Sequence, residues 1–136
     1  MPQPHQTADL ARRNLLRLGL AGASVLVLGS GPSSRAGETP GVELKVITEV
    51  ASTIPGYAKI RVRDAIFQPG ASSPVHTMNN DMVCECTAGA LEITNDGRTF
   101  TADTGQVWTC HLGGTEGVVN KGQSRAIMRI VDLLPA

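Results

Sequence analysis

Aromatic residues are scarce in this chain: one Trp, one Tyr and two Phe in 136 residues, 3 % of the total. Stacking platforms for bases or sugars therefore cannot be numerous. Neither charge sign is in excess, with 12 basic and 12 acidic residues. That argues against a nucleic-acid binder, which needs a basic surplus to meet phosphates. Cysteine is present three times, an odd count, so a complete disulfide framework is excluded. Long apolar runs are also missing; Leu18–Leu28 is the longest and is too short to span a bilayer comfortably. What remains is 41 % hydrophobic residues, enough for one buried core, punctuated by 15 Gly and 8 Pro. Such punctuation favours many short strands over long helices.

The neutral total conceals an asymmetry. Residues 1–36 carry Arg12, Arg13, Arg17 and Arg35 against Asp9 alone, whereas residues 37–136 hold eight basic and eleven acidic residues. A basic stretch, a mildly apolar run rich in Gly and Ala, and then Ser34-Arg35-Ala36 with small side chains at both ends form the three-part layout of an export signal. The paired Arg12-Arg13, a polar residue, two leucines and Arg17 resemble a twin-arginine signal, with Ala11 and Leu15 where Ser or Thr and Phe are common. The expectation is a cleaved signal over 1–36, a mature domain over 37–136, a periplasmic location and no stable membrane anchor. An oxidising compartment would let Cys84, Cys86 and Cys110 pair or oxidise. The twin-arginine route implies export after folding, which suits a protein that first binds a cofactor.

Alternation of apolar and polar residues predicts strands over Val42–Val46, Tyr57–Phe67, Ser73–Met78, Met82–Cys86, Ala90–Thr94, Arg98–Thr101, Gln106–Leu112, Thr115–Asn120 and Arg125–Leu134. Asn95-Asp96-Gly97 is the clearest hairpin turn. Nine short strands without a helix predict an all-β double-sheet jelly roll or small barrel.

The central segment carries a second resemblance. Gly70-x5-His76-x-Met78-x3-Met82-x6-Gly89 has the spacing of the first cupin motif, G-x5-H-x-H-x3-E-x6-G. Gly97-x5-Asp103-x-Gly105-x2-Trp108 has that of the second, G-x5-P-x-G-x2-H. The chain thus resembles a small single-domain cupin, which implies a jelly-roll barrel with a pocket in its middle. Of the family's usual metal-ligand positions only His76 is kept; Met78, Met82 and Trp108 occupy the other three, and Asp103 replaces the usual Pro.

Side chains on a strand alternate faces. If Met82 points inward, so do Cys84 and Cys86, while Val83 and Glu85 point out. If Trp108 points inward, Cys110 does too, and His111 lies on the surface. His76 and Met78 share a face. The expected interior holds one imidazole, two thioethers and three thiols, with Trp108 on the pocket wall. That set suits Cu(I) better than zinc or iron, and suits Mg, Ca or Mn poorly. Zinc remains open through His76 and the cysteines. So does a metal-free core of Met and Cys in which His76 bonds a backbone carbonyl at the mouth. A Cys84–Cys110 or Cys86–Cys110 disulfide would need Cα atoms within about 7 Å.

Three functions follow as expectations. The first is an exported module binding a metal ion or small molecule through His76, Met78, Met82, Cys84, Cys86 and Cys110. The second, implied by the resemblance, is a periplasmic oxidoreductase, dioxygenase-like enzyme or isomerase acting on a small organic compound. The third is a homodimeric structural subunit paired through an exposed strand edge.

Overall fold

The computed structural model describes residues 39–136, so the expected signal over 1–36 lies outside the described residues. Nine strands follow one another: β1 (Val42–Ala51), β2 (Tyr57–Phe67), β3 (Ser72–Thr77), β4 (Asp81–Ala88), β5 (Ala90–Asn95), β6 (Arg98–Asp103), β7 (Val107–Cys110), β8 (Thr115–Val119) and β9 (Ala126–Pro135). They form a five-stranded sheet, β1-β2-β9-β4-β7, and a four-stranded sheet, β3-β8-β5-β6. Every pairing is antiparallel. The jelly-roll expectation is met, and no helix among the described residues is long and apolar enough to cross a membrane.

Period two decides the faces. On β4, Met82, Cys84 and Cys86 are buried while Val83 is exposed; on β9, Ala126, Met128, Ile130 and Asp132 are buried in alternation. With Phe67, Leu91, Ile93, Ala102 and Val118 they form the core between the two inner faces. Asp96 and Gly97, both at positive φ (47° and 77°), turn the β5–β6 hairpin between the paired Asn95 and Arg98.

Two strands differ from the sequence-based bounds for identifiable reasons. β1 continues five residues past Val46, because a bulge between Val46 and Thr48 absorbs Ile47 and restarts the alternation. β7 stops at Cys110, because Leu112 turns away and donates its N–H to Asp81 Oδ1 at 2.8 Å.

Candidate functional site

Three strands converge on a sulfur–carboxylate cluster. Cys84 on β4 stands opposite Trp108, Cys110 on β7 stands opposite Met82, and Glu116 on β8 stands opposite His76 of β3. The two Sγ atoms and a Glu116 carboxylate oxygen lie within 4.8 Å of one another. All three residues are buried, Cys84 completely. Cys110 Sγ–H donates to Glu116 Oε2 at 2.9 Å, and Trp108 Nε1–H donates to the same oxygen at 2.8 Å. Asn95 Nδ2–H points at Cys110 Sγ from 3.2 Å. A hydrogen bond with Cys110, then burial, then the facing Glu116 charge push the Cys84 thiol far above its ordinary value. Alone, therefore, the cluster holds a neutral Cys84 beside a carboxylate that is already committed to two donors.

Beside the cluster lies a cavity of about 670 Å³. Its apolar wall includes Phe67, Met78, Met82, Met128 and Ile130, and its polar groups include Arg63, Ser73, His76 and Glu116. Arg63 is held in place by Asp132, a fully buried carboxylate that also receives Arg61 and Asn80.

The sequence-derived site residues divide into three groups. Cys84 and Cys110 come together. Met78 and Met82 are buried on the cavity wall, and Trp108 is buried next to the cluster, edge-on to Phe100 with ring centroids 6.0 Å apart. Cys86 and His76 stand apart. Cys86 is fully buried, but its Sγ faces the carbonyls of Ala88 and Gly89, each at 3.4 Å, where the β4 ladder is shifted by a bulge. His76 lines the cavity but is solvent-exposed rather than interior, with Nδ1 2.9 Å from Pro74 O. The expected single convergence of one imidazole, two thioethers and three thiols is thus corrected: two thiols meet a carboxylate, and the two thioethers line the adjoining cavity. All three cysteines are free. Cys84 and Cys110 are diagonal neighbours across β4 and β7, an arrangement with Cα atoms about 7–8 Å apart, too wide for a relaxed disulfide. His111 is on the surface as expected, with Nε2 3.1 Å from Asp96 Oδ2.

Sequence reasoning missed Glu116. The structure supplies the parity: Val118 is buried, so Glu116 two residues earlier shares its face. Val118-Val119 left the parity of that strand ambiguous, because either valine can be the inward one.

The positions that hold metal in the cupin motif do not fit a metal here. Trp108 offers only an N–H, already given to Glu116, and Met78 and Met82 offer thioethers in place of an imidazole and a carboxylate. Because β4 and β7 run antiparallel, Cys84 shares a row with Trp108 and Cys110 shares a row with Met82, so the two cysteines take the other diagonal of the same four inward positions.

No family model matches the chain, and no curated protein matches it. Solved structures do. The chain is similar to a recombinant oxalate oxidase in complex with glycolate, at TM-score 0.59 and 19 % identity, over 75 % of this chain and 58 % of that one. It is similar to KdgF from Halomonas sp., at TM-score 0.56 and 17 % identity, over 73 % and 84 % of the two chains. It is also similar to the Cnp3 cupin domain of Schizosaccharomyces pombe, at TM-score 0.55 and 19 % identity, over 68 % and 67 %. At these identities the likeness establishes the cupin fold.

Proposed function

We propose that this chain is an exported cupin-fold protein that holds a thiophilic metal ion between Cys84, Cys110 and Glu116 and admits a small molecule to the adjoining cavity. The observation that carries the reading is the gathering of two thiols and a carboxylate within 4.8 Å, with Glu116 also lining a 670 Å³ cavity. Three protein donors leave a fourth position for water or an organic ligand, the arrangement of an open zinc site. A donor set with an imidazole and two thioethers favours copper(I). A carboxylate in place of the imidazole moves the preference to zinc(II), and Met78 and Met82 then serve as cavity wall. The enzyme reading draws on the same open position and cavity. It would make the chain a metal-assisted catalyst on a small organic compound, with Arg63 and His76 as its polar contacts.

Elemental analysis of the stripped full chain after separate exposure to zinc(II) and copper(I) tests this. One equivalent of zinc is expected, bound more tightly than copper. Cys84→Ser, Cys110→Ser and Glu116→Gln should each weaken binding at least 100-fold, since each removes a direct ligand, while His76→Ala should change it less than 3-fold. Less than a tenth of an equivalent of either metal, with Trp108 fluorescence showing an intact barrel, would overturn the proposal.

Export is the second element of the proposal. It rests on the Arg12-Arg13 pair, the short apolar run and the small residues before Gly37. Replacing both arginines by lysine should retain the uncleaved chain in the cytoplasm. Unchanged periplasmic recovery of the double variant would remove the twin-arginine assignment.

A further inference from the structure

The inner side of β2 carries one more cation than the barrel neutralises. Arg61 and Arg63 are both given to a single carboxylate, Asp132. Burial raises that carboxyl, but hydrogen bonds from Arg63, Asn80 and Arg61 hold it below its usual value. It is therefore ionised at neutral pH and cancels one of the two guanidinium charges. The acids of the neighbouring β1 do not cancel the other. Glu49 is paired with Lys59 at 2.8 Å, and Glu43 stands opposite Ile66, three residues along β2 from Arg63. Glu116, on the facing sheet, already receives Trp108 and Cys110. A guanidinium held away from bulk water costs free energy unless an anion meets it.

Of the two arginines only Arg63 lines the cavity. It meets Asp132 side-on, with Nε at 2.7 Å and Nη2 at 3.1 Å. Its end-on fork, Nη1 together with the second Nη2 hydrogen, has no partner among the described residues. Such a fork offers two parallel N–H groups, the geometry that a carboxylate's two oxygens accept. Arg63, Ile130, Cys84 and Trp108 form one row of inward positions across β2, β9, β4 and β7. Ile130 thus separates Arg63 from the sulfur–carboxylate cluster. The rest of the wall is mostly apolar, and Met78, Met82 and Met128 all belong to it. Unbranched thioethers adapt their shape to an apolar chain.

We propose that the small molecule admitted to this cavity is an organic acid with one carboxylate and an unbranched apolar body. The carboxylate takes the end-on fork of Arg63, and the body lies along the methionine wall. This names the ligand class for the cavity and rests on its reading as a binding site, but not on the metal. One carboxylate matches the one surplus charge; a second would meet apolar wall with no cation to receive it. A phosphate would find only Ser73 and His76 of β3 as further donors and would leave the apolar wall unused. A neutral molecule would leave the Arg63 charge unmet.

Titration calorimetry of octanoate, butyrate, 1-octanol and inorganic phosphate into the metal-stripped full chain tests it. Octanoate is expected to bind at least 30-fold more tightly than 1-octanol or phosphate. At about fourfold per buried methylene, it should also exceed butyrate at least 30-fold. Arg63→Gln should weaken octanoate binding at least 30-fold. Arg61→Gln, which removes the other guanidinium from Asp132 without touching the cavity, should change it less than 3-fold. If Arg63→Gln does not fold, the comparison of octanoate with 1-octanol on the parent decides. Binding of 1-octanol or phosphate as tight as that of octanoate, or no octanoate binding at millimolar concentration, would overturn the proposal. A chain that holds zinc and binds no octanoate would strike the ligand class and leave the metal reading standing. Octanoate binding by a chain that takes up no metal would do the reverse.

Discussion

Replacing Asp132 with alanine is expected to lower the stability of the barrel by about 3 kcal/mol, the lower end of what removing one partner from a buried ion pair costs. The carboxylate has no solvent exposure, and it receives Arg61 Nε at 2.9 Å, Arg63 Nε at 2.7 Å and Arg63 Nη2 at 3.1 Å. Asn80 Nδ2 adds a fourth donor at 3.2 Å. Without the carboxylate, two guanidinium groups would face each other across the inner side of β2. Both keep some water, with side chains 31 % and 21 % exposed, which is why the lower figure applies. In a domain of about 100 residues the loss corresponds to a fall in melting temperature of about 12–24 °C. Thermal and denaturant unfolding of the variant measure it.

The same group sets a pH dependence. Burial alone would raise the Asp132 carboxyl, but the hydrogen bonds from Arg63, Asn80 and Arg61 outweigh it and hold the group below the usual carboxylate value. A folded-state value below the unfolded one means that the contribution is fully present above about pH 4 and is lost as the pH falls through the folded value. Asp132→Asn should therefore flatten the acid limb of stability. An acid limb as steep as the parent's would assign it to other carboxylates.

The second large effect is expected at Gly89. A Cβ there would sit 3.0 Å from the Arg125 carbonyl oxygen and 3.1 Å from Ala126 Cα and Cβ, and the residue has φ +68°. The left-handed backbone costs a side chain about 1–2 kcal/mol, and crowding against backbone adds about 1–3 kcal/mol. Gly89→Ala should thus destabilise by about 2–5 kcal/mol, read from the denaturant midpoint. Gly97 supplies the control: its φ is +77° and nothing lies within 4 Å of its Cβ position. Gly97→Ala should cost only the backbone share, about 1 kcal/mol. Equal costs at the two positions would mean that the start of β9 yields to Gly89.

Gly89 closes the first cupin-like motif, and the contrast shows what such spacing encodes. Gly70, Gly89, Gly97 and Gly105 all adopt positive φ, so four turns are written directly into residue type. The strand count and the Asp96-Gly97 hairpin were legible for the same reason, since period two and turn chemistry are local. Bulges are less so: Ile47 interrupts the alternation of β1, and only pairing with β2 shows that the strand resumes at Thr48.

The site was half legible. Parity placed Met82, Cys84, Cys86, Trp108 and Cys110 on inward faces, and all five are buried. Parity could not say how far along the barrel each would lie. Cys84 and Cys86 share a face, yet only Cys84 meets Cys110, because the β4–β7 register brings Cys110 opposite Met82. Glu116, distant in sequence from the motif positions of β4, enters the cluster through β8, which lies in the other sheet. By itself, then, the chain determined its strands, its turns and the side of the sheet on which each residue falls, since these depend on neighbours one to three positions away. Tertiary structure alone decided which inward groups touch and that Asp132 is buried among arginines. Those contacts depend on register and on the stacking of two sheets, which bring together residues far apart along the chain.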